Sequence, residues 1–196
     1  MPLATMASDK NSQPYPKYQV ELLIFETTAI RGWTEETWPL IDTDIDLDGS
    51  VPAEPLNDKY LMLASQAKKL KPEIGYKILM HQAYAVYGLP EEKATRISFE
   101  NYPETEWTSK VKGDFLFYKS RYPHIDVEFQ VDKAIPSRVR DDLGKQQKME
   151  IVEPMVGMPP VWRFYLKESR KVLKDEIHYI DHPLFGALVK VQPVED

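Results

Sequence analysis

The stretch DEIHYIDHPLFGALVKV, Asp175 to Val191, holds two of the chain's four histidines. His178 and His182 are four apart, Asp181 lies between them and Glu176 stands two residues ahead. Neutral imidazoles are good zinc ligands, and a His-x3-His pair on a helix puts both rings on one face. This stretch does not read as a helix. Ile177, Tyr179 and Ile180 are β-type, and Pro183 disfavours a helical His182. On an extended strand the two histidines share a face but lie ~13 Å apart. One metal ion would then need a bend at 181–183 and a third ligand from His81 or His124. Turn chemistry is the stronger reading. Asp181 and His182 precede Pro183, where an Asp can bond nearby amides and Pro fixes φ. Gly186 permits a close approach or a bulge. His178 is expected to pair with Glu176, which would raise its pKa. The expectation is a structural corner joining two strands, with no metal and no cofactor.

Other candidate chemistry is weaker. Asp44, Asp46, Asp48 and Gly49 match the opening of a calcium loop, but the twelfth position is Pro55, with Glu54 one short. No tight divalent-ion site is expected over 42–48. There is no Gly-rich phosphate loop, no G-x-S-x-G elbow and no H-E-x-x-H. No residue is nominated as catalytic. The absence of cysteine excludes disulfides and thiolate sites and fits either cytosol or periplasm. Trp33, Trp38 and Trp107 lie in polar, loop-like surroundings, where aromatic faces either contact sugars and partners or cover a sheet end.

The chain that must position these groups has 196 residues, 42% apolar and 29% charged, an ordinary globular composition. A formal net charge of −6 argues against a nucleic-acid partner. Charge is uneven: 26–58 has nine acids and one base, 133–174 ten bases and five acids. No apolar run approaches the ~20 residues of a transmembrane helix. Residues 1–16 read as a flexible lead and 17–196 as one domain. KYQVELLIFE, from Lys17, is apolar on both faces and belongs centrally in a sheet. Residues 31–55 read as a long acidic loop. LNDKYLMLASQAKKLKP is expected to be the main helix, capped by Asn57 and stopped by Pro72. Strands are expected at GYKILMHQAYAVYG, ATRISFENY and on both sides of Tyr122-Pro123. Further strands are expected at VWRFYLKESRKV, DEIHYI and LFGALVKVQ. Residues 136–160 read as a long excursion with a short helix near 137–143, and 144–160 as the best-exposed protease site. The resulting fold class is α+β: a largely antiparallel sheet of about seven short strands, one main helix and long loops.

Taken in order, YQVELLIFE, EETWP, GYKILMHQAY, GDFLFYKSRYPHIDVEF and FYLKESRKVLKDEIHYIDHPLFGALVKVQP resemble the CsiV family of periplasmic peptidoglycan-binding proteins from Tyr18 to Pro193. EIHYIDHPLFG is the most specific part. The resemblance implies a non-enzymatic periplasmic adaptor whose signal peptide has been removed. It implies peptidoglycan as ligand and promotion of wall synthesis with an outer-membrane lipoprotein activator of a penicillin-binding protein. Arg121, Tyr122, His124, Arg170, His178, Tyr179, Asp181 and His182 match the family pattern and are the candidate ligand- or partner-binding residues. Two other functions stay open: a metal-dependent wall hydrolase using His178, Asp181 and His182, and a pure protein–protein scaffold.

Overall fold

The computed structural model describes residues 15–194; most of the lead, residues 1–14, lies outside them. Among the described residues nine strands form two sheets instead of the single sheet of about seven expected, and helices are few and short. The strands are β1 (Lys17–Thr27), β2 (Val51–Pro52), β3 (Tyr76–Tyr87), β4 (Arg96–Glu100), β5 (Lys110–Lys119), β6 (Pro123–Ala134), β7 (Val161–Lys171), β8 (Ile177–His182) and β9 (Phe185–Pro193). The four-stranded sheet has the order β3-β1-β9-β8, the five-stranded sheet β2-β4-β5-β6-β7. All pairings are antiparallel except the two-residue contact of β2 with β4.

The two inner faces meet in one core. Val20, Leu22 and Ile24 of β1 and Ala187, Val189 and Val191 of β9 meet Phe115 and Phe117 of β5, Val127, Phe129 and Val131 of β6, and Phe164 of β7. The period-2 patterns of β6, β7 and β9 are the inner faces of a sandwich. β1 is buried on both sides because β3 and β9 flank it and its outer face is also covered.

The cover is the 56–75 segment, which does not form the long helix its stripe predicts. Asn57 caps a single 3₁₀ turn, Asp58–Tyr60, by accepting from the Lys59 amide at 3.1 Å. Leu61 is then extended (φ −67°, ψ 117°), and only one α-helical turn follows, α1 (Ala64–Ala67). The cause is a tertiary hydrogen-bonding site. Glu21 of β1, 0% exposed, accepts from the amides of Met62 (2.5 Å) and Leu63 (2.8 Å) and bonds His81 Nε2 at 2.6 Å. A charged acceptor holding two amides outweighs the few tenths of a kcal/mol per residue of helix propensity. Among the described residues the longest helix is instead α2 (Arg140–Gln147), which with the 3₁₀ turn Ser137–Val139 forms the short helix expected near 137–143 and carries it on to 147.

A second buried charge ties the sheets together. Glu26 of β1 and Lys133 of β6, each 6% exposed, form an ion pair, and Ser109 donates to the same carboxylate at 2.6 Å.

Candidate functional site

The β8–β9 hairpin is the corner anticipated from DEIHYIDHP, with different bonding. His182 points into the core. Its ring stacks on Phe185 (centroids 3.9 Å apart, 17° between planes) and meets Trp38 and Phe164 at 5.0 and 5.3 Å. The Leu184 amide donates to its Nδ1 at 3.2 Å, so this nitrogen carries no proton. Burial pulls its pKa down to about 4, against the Asp181 carboxylate. The amide-bonding role expected of Asp181 thus belongs to His182. Asp181 is exposed and accepts the Tyr179 hydroxyl at 2.6 Å. Tyr179 lies on the outer face, stacked on Phe25 at 6.3 Å. Gly186 leaves room for both rings: a Cβ there would sit 2.8 Å from Tyr179 and 2.9 Å from Phe25.

His178 shares its strand face with His182. The expected pair with Glu176 does not form, because Glu176 precedes β8 in an exposed connection. Burial lowers the His178 pKa, the reverse of the expected rise; Glu176 opposes this and Arg170 adds to it. Its Nε2 is buried without a partner among the described residues. Asp181 faces away from both imidazoles, so these three side chains do not converge on one ion. Among the described residues no three His, Asp or Glu groups are placed to hold a metal.

The remaining candidates lie at the β5–β6 connection and the end of β7. Tyr122 is 40% exposed, with the Lys171 ammonium 3.4 Å from its ring centre and the Arg121 guanidinium at 5.4 Å. His124 stacks on Tyr118 (5.1 Å, 9°), and its Nδ1 bonds the Tyr122 carbonyl at 2.9 Å. Arg170 donates to Glu168 at 3.1 Å. Arg121, Tyr122, His124 and Lys171 therefore make one cationic aromatic surface, while His178 with Arg170, Tyr179 with Asp181, and His182 occupy other places. Tyr118 and Lys171 were missed as candidates, although both face His124 across the ladder. Counting back from the Tyr122-Pro123 connection gives the Tyr118 pairing; that of Lys171 needs the β6–β7 register, which no local signal carries.

The acidic loop is spent on structure. Asp44 accepts from Lys112 at 2.6 Å, and Arg163 lies 2.8 Å from its other oxygen. Lys112, Gln130 and Arg163 hold its carboxyl below the usual range. Asp46 accepts the Asp48 amide at 2.9 Å. Trp33 and Trp38 are buried against Phe164 and cover the sheet end, whereas Trp107 is exposed.

No curated protein and no solved structure matches the chain. A family model described as peptidoglycan-binding protein, CsiV, matches residues 41–194, from the acidic loop through β9. That match covers most of the chain, including both hairpins described above, and the chain belongs to the CsiV family of peptidoglycan-binding proteins.

Proposed function

We propose that this protein is a non-enzymatic periplasmic adaptor that holds peptidoglycan and promotes wall synthesis, acting with an outer-membrane lipoprotein activator of a penicillin-binding protein. The observation that carries the reading is membership of a peptidoglycan-binding family over residues 41–194. Such a ligand places the protein in the cell envelope, and no helix of the described residues is long and apolar enough to cross a membrane. Peptidoglycan offers sugar faces and peptide carboxylates. The surface of Arg121, Tyr122, His124 and Lys171 offers an aromatic face with cations beside it, a complementary chemistry. Arg121 and Lys171 have no carboxylate partner among the described ion pairs, which leaves their charge for a ligand.

The hydrolase alternative loses its proposed ligand set, since Asp181 lies on the opposite strand face from His178 and His182. The test is co-sedimentation of purified protein with isolated sacculi, without any partner. Retention by sacculi supports the reading. Protein left in the supernatant, with retention only when the lipoprotein is added, turns it into the scaffold reading.

A further inference from the structure

An open cleft of about 590 Å³ shares none of the candidate residues above and is lined by β3, β4, Lys112 of β5 and the 47–55 segment, with Tyr102 just beyond β4. Its size falls within the ~300–1,000 Å³ usual for small-ligand sites. Its wall is fixed at both ends: Val51 and Pro52 pair with β4, and the Leu56 amide donates to the Ala83 carbonyl of β3 at 2.7 Å. Tyr102 stands at its rim with 83% of its surface exposed. That ring is not on a loose tip. Its hydroxyl donates to Glu100 at 2.6 Å. Its neighbour Asn101 donates to the carbonyls of Leu79 (3.2 Å) and Ser109 (3.0 Å) and accepts from the Val111 amide (2.7 Å), pinning the base of the loop to β3 and β5.

Inside the cleft, polar groups are left over. Gln82 uses its carbonyl to accept the Tyr84 hydroxyl at 2.6 Å, and its amide N–H groups have no partner among the described residues. The Ser98 hydroxyl and the Glu54 carboxylate also lack partners among them. A free donor, a free acceptor and a hydroxyl beside an exposed aromatic face suit a ligand with many hydroxyls and an apolar ring face. The charge selects further. Glu54 and Glu100 are acidic, and the one cation among the described lining residues, Lys112, is committed to Asp44 at 2.6 Å. An anionic ligand is repelled, and a neutral one is not.

We infer that this cleft binds a neutral amino-sugar chain through stacking on Tyr102 and hydrogen bonds to Gln82, Ser98 and Glu54. The inference rests on the peptidoglycan reading and deepens it: the cleft takes the glycan strand, not the carboxylate-bearing peptide.

The test is titration of the full chain with chitotetraose, a neutral β1,4-linked N-acetylglucosamine tetramer, followed by amide shifts in the NMR spectrum and by calorimetry. Wild type is expected to bind, with shifts centred on residues 82–84 and 98–102. Tyr102→Ala is expected to bind about tenfold more weakly, and Tyr102→Phe, which keeps the ring, within about twofold of wild type. Tyr102 is exposed, so neither change threatens folding, and unchanged melting temperatures verify this. A free stem tripeptide should leave the cleft amides unmoved. Unaltered chitotetraose binding by Tyr102→Ala overturns the inference. So does retention on sacculi without any binding of the tetramer, which leaves the proposed wall-binding function standing. Failure of wild type to bind sacculi removes the proposed wall-binding function, and the wall assignment of the cleft with it.

Discussion

His182 sits in a core stack, accepts an amide proton and must be neutral to do so. Its folded pKa, pulled down to about 4, lies below the unfolded ~6.5. Between these values the unfolded chain binds the extra proton. The stability tied to neutral His182 is therefore fully present above pH ~6.5 and is lost as pH falls through 4. Allowing for the ring's remaining exposure, the loss should be about 2 kcal/mol. Urea unfolding at a series of pH values checks this. His182→Asn, whose side-chain oxygen can still accept from Leu184, should be less stable at pH 7 but lose less between pH 7 and 4. A parallel pH dependence for the two proteins would show that His182 is not the group responsible. At Gly186 the added methyl of Gly186→Ala meets Tyr179 and Phe25, and a cost of ~1–3 kcal/mol is expected from overpacking. Gly186→Ala combined with Tyr179→Ala should recover part of that cost in thermal melts.

At the scale of elements, two buried carboxylates on β1 decide what neighbouring segments do. Glu26 and Lys133 join the sheets. Lys133→Met strands the carboxylate and should cost ~3–5 kcal/mol, whereas Glu26→Leu with Lys133→Met should recover most of it. Denaturant midpoints of the two variants give the comparison; equal losses would mean that packing, not charge pairing, dominates. Glu21 organises the 56–75 segment. With Glu21→Leu the Met62 and Leu63 amides lose their acceptor, and trypsin should reach Lys68, Lys69 and Lys71 faster than in wild type. With a protease of broad specificity the first cuts in the wild-type protein should fall within 148–160, the part of the 144–160 stretch that α2 does not cover. There Val152, Met155 and Val156 are exposed, and no helix or strand covers the backbone between α2 and β7. First cleavage inside β7 would contradict the ladder with β6.

The described residues form a sandwich whose Tyr122 surface carries cations and whose Tyr102 cleft carries carboxylates. If Arg121, Tyr122 and Lys171 contact peptide carboxylates, Arg121→Ala with Lys171→Ala should reduce sacculus retention several-fold at low salt, and added salt should weaken wild-type retention in the same way. Salt-independent retention would remove the ionic part of that assignment. Calcium is not expected to bind the 42–48 loop below ~10 μM, the sensor range, because Asp44 already holds Lys112 and Arg163. Calorimetry with calcium reads this directly.

The sequence by itself determined the long strands and the family. KYQVELLIFE, the alternations at Ile125–Phe129 and Trp162–Leu166, and the Tyr122-Pro123 connection are local patterns, and each became the element it announced. The EIHYIDHPLFG stretch was legible as a corner joining two strands for the same reason, and the structure makes that corner a hairpin. What the pattern does not encode is which faces meet. An apolar strand face reads alike whether a helix or a second sheet covers it, so one sheet with a helix was as consistent as the sandwich. The 57–71 stripe failed as a helix because its amides go to Glu21, 41 residues earlier in the chain. The candidate residues scattered for a similar cause. Neighbours in sequence alternate between opposite faces of a strand, so Asp181 and His182, adjacent in the chain, serve different surfaces. The cationic surface at Tyr122 and the cleft at Tyr102 assemble residues from separate strands, and only the register of those strands brings them together.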